Sequence, residues 1–433
     1  MAFLRSLLVL MLVAAGIVAP ASAQAGDELI YTVKRGDTLI DLARDYMTRE
    51  AHYRFVQRAN RIANPLAIPV GTRLKISRGL LKFVPGEAKA LSVRGNVTIS
   101  SRGASHSLTN GAALAEGTTI QTGASSFATL VLDNGSRVSL PSNSRLHISR
   151  LRRYKIDSSL DYDFDLTKGG VRSTVTPMKA ANDQYRMRSP KAVSAVRGTE
   201  FQSRYDETAG TDFAEVTEGA LAVGLPNGSE SPLPAGSGLV VDKSGMSSIE
   251  TLLPAVEWPD AGKLQREGSV LFNIPTIAAA RGARVSLSSD AGFVDQLADT
   301  TTSAGSAEFT EIPDGNYFVR IRPVSQSGVE GIPATFAFKR RLNSISASAA
   351  ADPLGYKFKW ASAGRGNFRY HFQLFRGGKD GLPVIDQRGL EQTEITLSDL
   401  PSGDYYWRVA SVQYLDGEVN SNWTEFEKIG VTG

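Results

Sequence analysis

Between residues 28 and 78 the hydrophobic pattern changes period more than once. "LIYTV" alternates and predicts a strand. "GDTLIDLARDYM" moves to helical spacing, with Leu39, Leu42, Ala43 and Tyr46 at i, i+3, i+4 and i+7. Thr38 or Asp37 suits the cap of that helix, because a short side-chain oxygen accepts the unpaired N–H groups of a first turn. "HYRFVQRAN" predicts a second helix, with Tyr53 and Val56, and Phe55 and Ala59, as its apolar pairs. "ANP" ends it, "PVG" turns the chain and "TRLKIS" alternates into a last strand. The expected order is strand, helix, helix, strand.

From 82 to 245 the pattern is β throughout. In "FATLVLDNGSRVSL", Asn134-Gly135 predicts a two-residue hairpin turn, with Leu130, Leu132, Val138 and Leu140 on one face. Pro226, Pro232, Pro234, Pro254 and Pro259 mark a shift in composition. Beyond them, "IPDGNYFVRI" at 312–321 and "LPSGDYYWRV" at 400–409 match in register, 88 residues apart. Each follows a strand-rich stretch with an early tryptophan, Trp258 and Trp360. A repeat of about ninety residues suits β-sandwiches. The expected units are 28–78, 82–245, 250–340 and 341–433.

The chain's first residues change the picture. Arg5 precedes an apolar run of 13 residues, Leu7 to Ala19, too short to span a bilayer. Ala21 and Ala23 flank Ser22, so a signal peptide of residues 1–23 is expected, cut between Ala23 and Gln24. A cut after Ala25 is the rival site, and a retained anchor is the other alternative. No later apolar run is long enough for a transmembrane segment in the mature chain. The net charge of +4 would fall to +3 with Arg5 removed, a mild excess that predicts no nucleic-acid partner.

The candidate chemistry is sparse. There is no cysteine, which removes disulfides, thiol catalysis, thiolate metal sites and lipid attachment at the cleavage site. Four histidines, His52, His106, His147 and His371, share no zinc-hydrolase spacing. No G-x-S-x-G is present. The expectation is therefore no enzyme and no cofactor, with a widely separated carboxylate pair left open. "VRGTEF" brings Arg197, Thr199 and Glu200 together without a histidine to activate a hydroxyl, so Gly198 and its neighbours read as architecture. The basic run with Arg145, Arg150, Arg152, Arg153 and Lys155 is either a partner surface or a guarded strand. Asp157, Asp161, Asp163 and Asp165 follow it, as local compensation or as calcium ligands without an EF-hand's glycine and glutamate.

The first unit resembles the LysM domain, through "YTVKRGDTLIDLA" and "ANRIANPLAIPVGTRLKI", over most of residues 30–76. The resemblance implies binding of N-acetylglucosamine-containing glycans such as peptidoglycan or chitin. The groove would lie between the loop after the first strand (Gly36, Asp37, Thr38, Leu39) and the loop after the second helix (Ala63, Asn64, Pro65, Leu66, Ile68). A neutral sugar needs backbone and short polar partners plus apolar contact, and glycine permits close approach. The same residues also serve as helix cap and turn. "MTREAHYRF" makes the middle about one helical turn longer than the commonest pattern. Between Asp27 and Lys82, eleven Lys or Arg face six Asp or Glu. That excess either favours a glycan with peptide carboxylates or is a set of solvated helix faces.

The middle resembles the FecR-type domain, on "VRGNVTI", "LAEGTTIQTGASSFATLVLDNGSRVSL", "LTKGGVRS", "SPKAVSAVRGTEFQSRY" and "AEVTEGALAVG", roughly residues 90–225. The resemblance implies an extracytoplasmic β domain of a regulator that signals to a membrane-associated partner. No anti-sigma segment accompanies it, so direct control of a sigma factor is not expected. The last two units resemble fibronectin type III sandwiches, which act as spacers or protein-contact surfaces. Tyr405, Trp407, Trp423 and Phe426 there are either core or a sugar-stacking face.

The expected fold is multidomain and mostly β: a βααβ LysM unit, an all-β FecR-type domain and two fibronectin type III-like sandwiches. The expected function is a non-catalytic periplasmic protein of the Gram-negative envelope that holds peptidoglycan and contacts unknown envelope proteins. The alternatives are an envelope sensor acting through the FecR-type domain and a cell-wall glycan hydrolase.

Overall fold

The computed structural model describes residues 27–101, 103–258 and 262–432. The expected signal peptide, with Ala23 and Gln24, lies outside the described residues. In the first unit, β1 (Glu28–Thr32) pairs antiparallel with β2 (Arg73–Ser77), and α1 (Leu39–Tyr46) and α2 (Tyr53–Ala59) lie between them in sequence. The extra length is taken up by a 3-10 turn, Glu50–His52, just before α2. Thr38 is the cap: it is extended (φ −121°), and its Oγ1 accepts the Asp41 N–H at 3.0 Å. Leu39, Leu42 and Ala43 are buried as the spacing requires. In α2 only Val56 is buried, and the expected Phe55 and Ala59 pair faces outward, Phe55 being 57% exposed. Seven residues make two turns, and one stripe of them can meet the sheet.

This unit does not close its own core. Tyr154 and Ile156 of the middle domain belong to the same hydrophobic cluster as Leu29, Leu42, Leu74 and Ile76, and Tyr154 is fully buried. Asn182, also of the middle domain, accepts the Ile30 N–H at 3.1 Å and donates to the Ile30 carbonyl at 2.9 Å. It thereby pairs the free edge of β1, which would otherwise present unpaired backbone groups. Arg78, 1% exposed, donates to the Asn182 carbonyl at 2.6 Å and lies over the Tyr154 ring at 5.2 Å.

The middle domain runs from the strand Phe83–Pro85 to the strand Ser247–Thr251, and its strands close into a barrel-like order. The last strand lies beyond residue 245. Leu160–Thr174 threads the domain. Its first half pairs antiparallel with Arg145–Tyr154 and parallel with Gln184–Arg188; its second half pairs with Arg137–Leu140 and Glu200–Asp206. Gly169 sits between the halves at φ +71°, where a Cβ would fall 2.6 Å from the Asn143 carbonyl oxygen. Tyr162, Phe164, Tyr185 and Phe201 form an aromatic cluster in the core.

The hairpin at Asn134-Gly135 forms with Leu130, Leu132, Val138 and Leu140 all buried. Its turn differs from the expected two-residue form. Only Gly135 has positive φ, +85°; its N–H donates to the Leu132 carbonyl, and the Leu132 N–H donates to Ser136. This is a three-residue loop with glycine in the left-handed position. Asp133 explains the extra residue: its carboxylate takes the Tyr162 hydroxyl and an Arg153 contact, so it belongs to the loop and not the ladder.

The C-terminal part holds two further β units with separate cores. In the first, a five-stranded sheet centred on Gly315–Ser325 faces the pair Val270–Asn273 and Ser306–Phe309. In the second, Gly403–Leu415 is the centre of a five-stranded sheet, opposite Ser344–Asp352, Gly355–Ala363 and Glu394–Leu397. The offset of 88 residues carries each of these central and facing strands onto its counterpart. It carries Phe272, not Trp258, onto Trp360. Trp258 precedes the strands and packs edge-on against Phe272 and Phe336. The two tryptophans are therefore not equivalent positions, although both are buried.

Candidate functional site

The nine loop residues expected to form the glycan groove come together around one backbone bond. The Leu39 N–H donates to the Pro65 carbonyl at 2.8 Å, joining the start of α1 to the loop after α2. Gly36, Ala63, Asn64 and Leu66 are exposed, with Leu66 at 62%; Asp37, Thr38 and Pro65 are half-buried. Leu39 and Ile68 are not surface residues. Their side chains are 0% and 8% exposed and anchor the two loops in the core. The arrangement offers a ligand backbone groups, short polar side chains and the aliphatic Leu66.

Each loop is held by local hydrogen bonds. Asp37 accepts from the Tyr31 hydroxyl at 2.8 Å and from the Lys34 N–H at 2.7 Å, which fixes the turn around Gly36 (φ +92°). Burial first, and then the Asp37 carboxylate, push the Tyr31 hydroxyl well above its usual range, so it stays a donor. Thr38 Oγ1 also donates to Asp41, at 2.7 Å. That bond, and then Arg44, hold the Asp41 carboxyl below the ordinary range. In the second loop, Asn64 Oδ1 accepts the Leu66 N–H at 3.0 Å, an Asx turn.

Three supporting residues were not singled out from the sequence. Gln57 donates to the Ile62 carbonyl at 3.0 Å and holds the loop from below. Asn60 donates to the Lys75 carbonyl at 2.8 Å and accepts the Lys75 N–H at 2.7 Å, tying the end of α2 to β2. Val70, 67% exposed, adds an aliphatic surface to the same loop. The signal available in the sequence was an amide, Asn60, at the helix end; in the structure Arg61 follows it in left-handed conformation (φ 54°). Lys34, Arg35, Arg58, Arg61 and Arg73 are exposed and make no ion pair among the described residues. None of the nine loop residues takes part in the hydrogen bonds and ion pairs that join this unit to the middle domain.

The other chemical candidates resolve into structure. Asp161 and Asp163 are buried and meet arginines: Asp161 lies 3.3 Å from Arg150 and 3.4 Å from Arg186, and Asp163 binds Arg188 at 2.8 Å. The parallel strand Gln184–Arg188 sets Arg186 opposite Asp163 and Arg188 opposite Asp165, and Arg150 comes from the antiparallel strand Arg145–Tyr154. Asp165 takes the Ser149 hydroxyl, and Asp157 takes Ser159 and Asn182. Among the described residues no cluster of potential ligands suits a metal ion. The basic run is likewise answered locally, Arg152 by Glu116, Arg153 by Asp133, Arg150 by Asp27 and Asp161. In "VRGTEF", Thr199 Oγ1 donates to the Ala220 carbonyl at 3.0 Å. A Cβ on Gly198 (φ +112°) would lie 2.8 Å from Pro177 Cα. Tyr405 and Trp407 are core residues. Trp423 and Phe426 are half-buried, and the Arg408 guanidinium lies over their rings, 4.3 and 4.6 Å from the centroids.

Among the described residues no helix is long and apolar enough to cross a membrane. Residues 31–77 match the family model described as LysM domain, and residues 118–222 match the model described as FecR protein. No curated protein matches this chain. Among solved structures, a candidate anti-sigma factor from Parabacteroides distasonis is similar at 18% identity and a TM-score of 0.26, over 31% of this chain and 59% of that one. This chain thus spans less than two thirds of that protein. The fibronectin(III)-like modules of Clostridium thermocellum CbhA are similar at 17% identity and a TM-score of 0.19, over 40% of this chain and 90% of that one. The FN1–FN3 domains of chicken CNTN1 are similar at 13% identity and a TM-score of 0.20, over 56% of this chain and 95% of that one. The fold class is mostly β and multidomain, with one small helix-containing unit at the front, a LysM domain, and a FecR domain behind it.

Proposed function

We propose that this is a non-catalytic envelope protein, exported to the periplasm, which binds peptidoglycan through the loops at residues 36–39 and 63–68. The observation that carries the reading is the Leu39–Pro65 bond, which sets two loop surfaces side by side, with Gly36, Ala63, Asn64 and Leu66 exposed, on a domain that matches the LysM model. Such a surface suits a neutral sugar chain. The exposed cations of the same unit suit the carboxylates of peptidoglycan stems better than uncharged chitin. The FecR domain and the two fibronectin type III-like sandwiches present protein-contact surfaces, and tethering raises their effective concentration near the wall.

The test is sedimentation with purified sacculi. Deleting residues 28–78 would uncover Tyr154 and is a poor control. Ala63→Glu and Leu66→Asp alter exposed loop positions without touching the core. Loss of sedimentation with an unchanged melting temperature supports the reading, and equal retention of both variants would sink it. The FecR match favours a second reading, an envelope sensor. Crosslinking in cells that recovers one specific inner-membrane protein would support that reading.

A further inference from the structure

Three cavities adjoin where the middle domain meets the first C-terminal β unit. The largest, about 350 Å³, is bordered by Gln202 and Arg204 on one side and by Arg284 and Gln296 on the other. Arg172 borders all three. The seam itself is well fastened: Asp295 takes Arg94 at 2.6 Å and Ser92 at 2.8 Å, and Thr129 Oγ1 donates to the Val294 carbonyl at 2.8 Å.

Most charges at this seam are matched. Arg204 pairs with Glu215 and lies 3.6 Å from Glu330; Arg284 pairs with Asp299 and lies 3.7 Å from Glu330. Arg172 and Arg322 are different. Neither makes an ion pair among the described residues. The Nε of Arg172 is buried without a hydrogen-bond partner, and Arg322 is 4% exposed. The two guanidiniums are close enough to repel: burial first, and then Arg172, bring the Arg322 pKa down to about 9. Burial first, and then Arg320, bring Arg172 to about 10. Glu330, already shared between Arg204 and Arg284, and Glu200 are the carboxylates that face Arg172 and Arg322, and Glu200 also borders the cavity beside Arg320. Burying cations together with too few counter-charges is costly, and a fold keeps such an arrangement when something else supplies the negative charge.

We infer that the seam cavity is a binding site for a small oxyanion, a carboxylate or phosphate group, with Arg172 as the main donor and Gln202 and Gln296 as neutral partners. The planar guanidinium presents the paired donors that such a group accepts. The volume sits at the low end of the range for small-molecule sites. Because the walls come from two domains, an occupied site would tighten their junction, and ligand presence would be felt as rigidity of the FecR domain against the unit behind it.

The experiment uses the full exported chain, with inorganic phosphate and succinate titrated separately at constant ionic strength against sodium chloride. Isothermal titration and thermal melting are read together. The expected result is saturable binding of at least one probe, with a rise in melting temperature that chloride does not produce. Binding of phosphate alone assigns a phosphorylated ligand, and binding of succinate alone assigns a carboxylate. Arg172→Gln is expected to weaken binding by about tenfold or more while leaving the unliganded melting temperature unchanged or raised, since the variant removes a half-buried charge that makes no ion pair among the described residues. Arg172→Lys and Arg322→Gln serve if that variant does not fold. The inference is overturned if neither probe binds above the chloride control, or if every folded variant binds as the parent does.

Discussion

The backbone N–H of Leu39 donates to the carbonyl of Pro65 across 2.8 Å. Leu39 opens α1, so its N–H is one of the donors a helix start leaves without an intrahelical partner. The second loop supplies the acceptor, and Thr38 supplies another for Asp41. Helix capping and loop pairing are thus one device. Thr38→Ala is expected to cost about 1 kcal/mol of stability and to weaken sacculus binding, because the freed first turn no longer holds the first loop against the second. Thr38→Ser is expected to restore both. Denaturant titration and sedimentation, run on the same preparations, check the pair. Lost stability with unchanged binding would separate the cap from the site.

The shared core makes a second prediction. Tyr154 lies in the middle domain's sequence but is buried in the LysM unit, with its hydroxyl donating to Asp161 at 3.0 Å. Burial first, and then Asp161, push its pKa to about 12, so the donor persists at neutral pH. Tyr154→Ala is expected to cost about 3–5 kcal/mol, and Tyr154→Phe about 1.5–3 kcal/mol for a bond to a charged acceptor. The loss should register as early exposure of the first unit to protease. A LysM unit that keeps its resistance in Tyr154→Ala would show that the unit folds without its neighbour.

Much of this was legible in the residues. The period change at "GDTLIDLARDYM" gives α1 and its cap, and alternation around Asn134-Gly135 gives the hairpin, because both are local consequences of side-chain direction. The motif positions give the two loops, and the helical spacing gives the burial of Leu39, but nothing local says that Ile68 turns inward: a loop residue's burial depends on what folds over it. The exposed Phe55 was misread because helical spacing alone cannot say which of two apolar stripes meets the sheet. Asn182 closing the edge of β1, 152 residues away, leaves no local signal at all. The same holds for Arg172, whose lack of a partner is visible only once two domains are set together. In the repeat, matching "IPDGNYFVRI" to "LPSGDYYWRV" was sound, while pairing Trp258 with Trp360 followed residue type and not the offset.

The Glu330 carboxyl carries a pH dependence. Burial pushes its pKa up, but Arg204, Arg284 and Arg322 outweigh that and hold it at about 2. A folded pKa below the unfolded value of about 4.3 contributes stability that is fully present above the unfolded pKa and is lost as pH falls toward the folded one. Glu330→Gln is therefore expected to lower the melting temperature most at neutral pH. The difference from the parent should shrink below about pH 4.3 and close near pH 2. A difference constant from pH 7 to pH 3 would show that Glu330 acts through packing and its bond to Gln202, not through charge.

The repeat makes its own prediction through two tyrosines at equivalent places. Tyr317 donates to the Pro313 carbonyl at 3.0 Å, and Tyr405 donates to the Pro401 carbonyl at 2.8 Å, each four residues back and each at the start of its unit's central strand. This is the corner that pins a sandwich loop to the strand that follows it. Both rings are buried in separate cores, so the hydroxyl is the only polar group each substitution removes. Tyr317→Phe and Tyr405→Phe are each expected to cost about 1 kcal/mol. The two sites share no partner, so their effects should add in the double variant. If the units unfold separately, each variant shifts only its own transition in a denaturant titration followed by tryptophan fluorescence, with Trp258 reporting the first unit and Trp360 and Trp407 the second. A single transition moved equally by both would mean that the contacts between the units, such as Lys339 with Glu418 at 2.7 Å, couple them into one folding block.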